Sequence, residues 1–299
     1  VCWLVCSGML LGAEPMFPPE LVSFRAVKLN PVFEAAGAGH WDVKIRERGF
    51  ILREGPLWHL WFTGYDGTRP GTKQLGYASS NDGVHWKRHK SNPVYRDHWV
   101  EDMMVVKQGK TYYMFAEGRN DVAHLLVSTD AVHWTRRGAL DVRLKNGKKI
   151  PPGPYGTPVG WYEKGTWHLF YERRDLGIWL ATSRDMKTWT NVQDEPVLGP
   201  GPKLYDRDLV AMNQIVKHQG RYYAYYHGAA RGEETPTLWS TGVAVSKDLV
   251  HWTKYSGNPL RPRKENKSSG IVVHDGRIFR LYTMHGAVHL HLPAGAKSR

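Results

Sequence analysis

The stretch that decides the fold is Leu75-Gly76-Tyr77-Ala78-Ser79-Ser80-Asn81-Asp82-Gly83-Val84-His85-Trp86, an alternating apolar run that ends in Ser-x-Asp-x-x-His-Trp. The ending returns as Ser128-Thr129-Asp130-Ala131-Val132-His133-Trp134, Ser183-Arg184-Asp185-Met186-Lys187-Thr188-Trp189 and Ser246-Lys247-Asp248-Leu249-Val250-His251-Trp252. Ser and Asp side chains hydrogen-bond their own turn backbone, so each phrase marks the end of a strand. The Trp four residues after the Asp opens the returning strand. Read this way the phrase is a structural box, and its use is that it counts repeating units.

The boxes lie 48, 55 and 63 residues apart, near the spacing of propeller blades with room for loops. Upstream of each box an apolar strand, a Gly turn and an aromatic strand recur, as in Phe50-Ile51-Leu52, Gly55 and Leu57 to Phe62, or Gln214-Ile215-Val216, Gly220 and Tyr222 to Tyr226. A fifth copy at Gly270 to Tyr282 has no box and ends near Leu292. The missing strand is found at the other end of the chain. Phe24 to Leu29 is strand-like, and Asn30-Pro31-Val32 matches the Asn92-Pro93-Val94 and Asn258-Pro259-Leu260 that close other units. The predicted fold is an all-β five-bladed β-propeller with four antiparallel strands per blade. Residues 24–33 close the ring in the last blade, so that no sheet edge is left open. The blades span about 40–95, 99–145, 155–198, 205–260 and 268–292 of a single domain, 14–299.

The 13 Trp, 15 Tyr and 8 Phe suit strands and a large core. Both cysteines, Cys2 and Cys6, fall in the apolar run Val1 to Ala13, which reads as the h-region and cleavage site of a signal peptide. A short buried strand, or a lipoprotein signal acylated at Cys6, are the other readings of that run. The first reading predicts a secreted or periplasmic chain. No other segment is long and apolar enough to span a bilayer. The net charge of +13 favours anionic partners through its long-range field. No Lys/Arg block has nucleic-acid motif spacing, so an acidic glycan is the better partner and the chain reads as a monomer. The 15 histidines are not read as a catalytic metal site, His85, His133 and His251 belonging to the boxes, and no Gly-x-Ser-x-Gly nucleophile motif occurs; no cofactor is expected.

Strand order assigns the faces. Residues just before each first strand and just after each second strand gather at one mouth of the ring, opposite the boxes. The first column holds His40-Trp41-Asp42, Glu101-Asp102, Tyr155-Gly156-Thr157 and Tyr205-Asp206-Arg207-Asp208; the second holds Thr63, Glu117, Glu172, His227 and Thr283. Trp41, Tyr65, Trp99, Tyr155 and Tyr205 are placed to stack on sugar rings or to pack between blades. Arg69, Lys73, Arg119, Arg173 and Arg231 make the rim basic.

Trp41-Asp42, the run Gly49 to Gly64, the phrase Leu75 to Trp86 and Asn92-Pro93-Val94 resemble the five-bladed β-propeller glycoside hydrolases, the superfamily of families 32, 43, 68, 117 and 130. The likeness covers about residues 24–292. It implies a catalytic Asp in the first blade, carried onto Asp42, and a second acid that sets pKa and orientation, carried onto Asp102. It also implies a general acid, for which Glu172 is the choice, with Glu101, Glu117, Asp206 and His227 behind it. It further implies inversion at the sugar carbon, and allows a structural calcium ion in the axial channel. Glycosidic cleavage needs one protonated and one ionised carboxyl beside an oxocarbenium-like state. Two other functions stay open: a polysaccharide lyase working through Tyr205, His227 and Arg119 on a uronate, and a carbohydrate-binding propeller without catalysis.

Overall fold

The computed structural model describes residues 16–296, so the signal-like run and both cysteines lie outside the described residues. Five small sheets form the ring. Blade I comprises Lys44–Ile45 and Phe50–Glu54, which together make an interrupted first strand, then Leu57–Tyr65, Gln74–Ser80 and Lys87–Arg88. Blade II is Glu101–Gln108, Thr111–Gly118, Val122–Ser128 and Thr135–Ala139; blade III is Gly156–Glu163, Thr166–Glu172, Ile178–Ser183 and Thr188–Asn191. Blade IV is Leu209–His218, Arg221–Ala229, Ser240–Ser246 and Trp252–Lys254. Blade V is Ser269–His274, Phe279–Met284 and Ala287–Pro293, and its outer strand comes from the N-terminal side, where Phe24–Ala26 and Phe33–Glu34 both pair with Ala287–Pro293. First strands touch one another in cyclic order, which sets them around the axis. No helix among the described residues is long and apolar enough to cross a membrane.

The turns repeat for local reasons. The hairpin glycines Gly55, Gly109, Gly165, Gly220 and Gly276 all have φ between 56° and 95°, a left-handed backbone in which a Cβ is strained. In the boxes the Asp Oδ1 accepts backbone N–H groups two and three residues on, as Asp82 does from Val84 and His85 at 2.8 and 2.9 Å. The His Nδ1 bonds the other Asp oxygen at 2.7 to 2.8 Å in the three boxes that carry His. Boxes also join blades: Tyr282 of blade V donates to Gly83 O, and the Trp61 indole of blade I donates to Ala131 O. The Asn of each Asn-Pro pair acts as a short strand. Asn92 exchanges two hydrogen bonds with the Tyr77 backbone, Asn258 two with Val243, and Asn30 two with Leu290. The N-terminal segment therefore closes blade V with the same device that finishes blades I and IV.

Two details differ from the expectation. The N-terminal strand is shorter, Phe24–Ala26 rather than Phe24 to Leu29. Asp141–Arg143, placed with blade II in the sequence reading, pairs in parallel with Thr188–Asn191 as a fifth strand of blade III. Val142 and Leu140 are buried in the cluster that packs blade II against blade III, and burying them there decides the sheet.

Candidate active site

The site grows from irregularities in the first strands. In blade II Glu101 pairs with Glu117 and Met104 with Phe115, so Asp102 and Met103 bulge; in blade III Gly156 pairs with Glu172 and Val159 with Phe170, so Thr157 and Pro158 bulge. Asp102 and Thr157 have φ of 50° and 48°, a backbone seldom adopted by such residues, and bulges re-aim side chains in this way. Between the two halves of the blade I strand stand Arg46, Glu47 and Arg48. Arg48 is 5% exposed and its guanidinium fills the centre of the ring. It pairs with Asp102 Oδ2 at 2.6 Å and donates to Thr157 Oγ1 at 2.7 Å and to Met212 O at 3.4 Å. The axial channel that the resemblance allows for calcium thus has a guanidinium at its centre, whose charge opposes a cation there.

Around this cation and the neighbouring Arg46 lie five carboxyls. Glu101 accepts from Arg46 Nε at 2.7 Å and from the Trp99 indole. Glu117 accepts from Thr157 N at 2.9 Å. Glu172 has both oxygens occupied by backbone donors, Gly156 N at 3.0 Å and Asp175 N. Burial raises Glu101 to about 7, helped by Asp102 and opposed by Arg46. Burial, with Asp102 and Glu101, holds Glu117 well above its ordinary value. Glu172 is pushed up to about 7 by burial and then Asp175. Asp175 rises to about 6 through burial, with Arg48 pulling down and Asp102 pushing up. Too many carboxyls share too few cations, so protons stay on some of them near neutrality. Asp102 Oδ1 is buried without a hydrogen-bond partner among the described residues. Asp206 Oδ1 is orphaned as well, but only at Asp102 does the free acceptor lie among the crowded carboxyls, where a ligand hydroxyl or a proton satisfies it.

The structure thus gathers Glu101, Asp102, Glu117 and Glu172 and adds Arg46, Arg48 and Asp175, which the sequence reading did not select. Asp42 does not join them. It is 1% exposed and bonds Arg88 at 3.2 Å and Ala36 N at 3.3 Å. Asp206 is likewise sealed, at 0% exposure, and bonds Lys254 at 2.6 Å and the Tyr226 hydroxyl at 3.2 Å. His227 is buried beside Asn213 Nδ2 at 3.1 Å, and burial with Arg48 nearby keeps it neutral. Tyr205 is 3% exposed and bonds Tyr226 and Asn258, while Arg119 stands over the Trp99 ring. The three lyase candidates therefore occupy separate places. Trp41 packs on Phe62 and the Tyr155 hydroxyl donates to Leu140 O, so both serve packing. Arg173 donates to Pro151 O at the rim. Tyr65 and Trp99 form an aromatic strip joined by Lys73, whose Nζ lies 3.9 and 4.8 Å from their ring centres.

Comparison with known proteins agrees with this architecture. The model of the glycosyl hydrolases family 32 N-terminal domain matches residues 210–291, which are blades IV and V. A glycosyl hydrolase from Bacteroides ovatus superposes with a TM-score of 0.73 at 16% identity, covering 94% of this chain and 97% of that one. A β-1,2-mannobiose phosphorylase from Listeria innocua gives 0.69 at 14% identity over 90% and 96% of the two chains. In sequence, the 1,2-β-oligomannan phosphorylase of Thermoanaerobacter sp. (strain X514) is 24% identical over 229 residues, 70% of this chain and 73% of the relative. The class is therefore a five-bladed β-propeller similar to glycoside hydrolases and mannoside phosphorylases.

Proposed function

We propose that the protein cleaves glycosidic bonds at the mouth of the ring, with Asp102 and Asp175 as the reacting carboxyls. The observation that carries this reading is the crowd of carboxyls around the buried Arg48 and its neighbour Arg46, in which burial and mutual repulsion favour the protonated form of four acids while Asp102 is ion-paired with Arg48. Cleavage through an oxocarbenium-like state needs that separation, one carboxyl giving a proton to the leaving oxygen while another is ionised. Asp175 supplies the proton: it is the raised acid that is only half-buried, and among the described residues no backbone donor holds its side-chain oxygens. Asp102 is the second reacting carboxyl, fixed by Arg48 through Oδ2, and its unpartnered Oδ1 takes the proton of an attacking water. Glu172 positions Asp175 through its backbone N–H. Glu101 and Glu117 hold Trp99 and Thr157 in place beside Asp102. Inversion is the expected outcome, and Tyr65 with Trp99 offers the sugar platform.

A second reading, phosphorolysis, is favoured by Arg46 and Arg48 at the mouth and by the two phosphorylases among the relatives. Inorganic phosphate then takes the place of water. One assay separates these readings: incubate the protein with neutral and anionic oligosaccharides with and without phosphate, and follow reducing ends, sugar 1-phosphate and ultraviolet absorbance. Free sugar without phosphate supports hydrolysis, and phosphate-dependent sugar 1-phosphate supports phosphorolysis. An absorbing unsaturated product, or binding with no turnover at all, overturns both.

A further inference from the structure

The ring repeats one ladder position at which a fourth-strand cation meets a buried acid. Arg88 in blade I and Lys254 in blade IV each stand two residues after the box Trp, opposite Ala78 and Ala244. Asp42 neutralises the first and Asp206 the second. Each acid packs its Cβ against a glycine one residue before the end of the second strand, Gly64 or Gly228. Blade II repeats the cation, Arg136 opposite Leu126, and the glycine, Gly118. It does not repeat the acid. Asp42 and Asp206 lie eight residues before Phe50 and Gln214, and eight residues before the matching Met104 stands Arg96.

What blade II has instead is an open pocket of about 480 Å³ lined by Arg96, Trp99, Arg119, His124 and Arg136, with Asp97 its one acid. None of the three arginines makes an ion pair among the described residues. In this pocket His124 packs its ring against Gly118, is 2% exposed, and has Nε2 buried with no hydrogen-bond partner. Burial, with Arg136 and His98 adding to it, lowers that imidazole to about 4, so the ring is neutral and carries none of the pocket's charge. The pocket opens on the same face as the mouth and shares Trp99 with it, since the indole donates to Glu101 while one face carries Arg119.

We propose that this pocket is a socket for an oxyanion borne by the glycan, a uronate carboxylate or an acidic ester, which replaces the carboxylate that blades I and IV build into the fold. The inference rests on the reading of the mouth as a glycan site. Guanidinium forks grip planar or tetrahedral oxyanions through paired N–H donors, and a concave surface with three unneutralised charges focuses its field. His124 Nε2 is then met by a hydroxyl of the same sugar. Free phosphate offers the same chemistry from a different source.

Equilibrium binding tests it, with an oligogalacturonide, a neutral oligosaccharide of equal length and inorganic phosphate as the probes. The wild type is compared with Arg136→Ala, with Arg96→Ala plus Arg136→Ala, and with Arg88→Ala as the paired-cation control, each checked for an intact melting curve. The expected result is binding of the charged glycan at least about tenfold tighter than the neutral one. The gap should shrink in high salt and vanish in the double variant, with neutral binding unchanged. Phosphate binding that depends on Arg136 also supports the socket and names free phosphate as its ligand. Equal affinity for charged and neutral glycans without phosphate binding, or an undiminished charge preference in the double variant, overturns it. Cleavage of neutral glycans without any anion preference sinks the socket alone. An Arg136-dependent anion preference with no turnover sinks the cleavage reading alone.

Discussion

Asp206 and Glu172 are both acids sealed at the same end of the ring, at 0% and 4% exposure, and a reading from residue type alone treats them alike. Their surroundings separate them. Asp206, like Asp42, has a cation of its own from the fourth strand of its blade. Glu172 shares the axial guanidinium with Asp102, Glu117 and Asp175. A buried acid with a private cation is settled, whereas a group of acids that outnumber their cations holds protons it can give away. The number of partners, more than burial itself, distinguishes the acids that hold the fold from those equipped for acid–base work.

The largest effect expected from this division is on turnover. Asp102→Asn and Asp175→Asn should each lower kcat by about 10³-fold, with circular dichroism and melting curve unchanged. Asp42→Asn should keep kcat within about tenfold; loss of turnover there at unchanged melting temperature reverses the division and returns Asp42 to the reaction. Next in size is stability. Asp206→Asn leaves Lys254 facing a neutral partner in a buried pocket and should cost about 3 kcal/mol, read as a clear drop in melting temperature. The double change Asp206→Leu with Lys254→Met should recover most of it, and failure to recover breaks the account of a self-contained pair.

The third effect is on pH dependence. With Asp175 as proton donor and its pKa pushed up to about 6, kcat/KM should decline as pH rises through that value. A decline only above pH 8 reassigns the donor. The smallest effect concerns stability against pH. Glu101 and Glu172 have folded values near 7 against an ordinary 4.5, so the folded state binds more protons than the unfolded chain between these values. Their contribution is present at low pH and is lost as pH rises from about 4.5 to 7, with a slope of about 1 kcal/mol per pH unit for each. Glu172→Gln should flatten that slope, and an unchanged slope removes Glu172 from the coupled group.

The boxes, the hairpin glycines and the Asn-Pro pairs are local devices whose chemistry lies within a few residues, so the blade count and the closing strand could be read directly from the chain. The mouth was legible too, because strand order alone gathers Glu101, Asp102, Glu117 and Glu172. Arg48 was not. The first column was counted from the residues ahead of the apolar run, which put Asp42 in it. The first strand of blade I is interrupted between Ile45 and Phe50, so the residue that reaches the axis lies two before Phe50, as Asp102 lies two before Met104. A consistent count backward from the paired aromatic strand would have found it. Asp175 had no such signal: it is brought in by a tight turn in which Arg174 and Asp175 both have φ of 57°, and neither is a glycine. Of the two roles read for Trp41, Tyr155 and Tyr205, packing is the one their contacts show, against Phe62, Tyr171 and Tyr226.

The closure of blade V also bears on how the chain folds. The Arg25 guanidinium bonds Ala296 O across a sequence separation of 271 residues, and Phe24 is in register with Pro293. Contacts of such separation form late and slowly, because the whole intervening chain must first be gathered. Blades II, III and IV can assemble while the chain is still being made, but Phe24–Ala26 meets its partner only after the Ala287–Pro293 strand has appeared. Until then Phe24–Ala26 waits as an unpaired edge, and a nascent chain cut short before blade V remains an open arc.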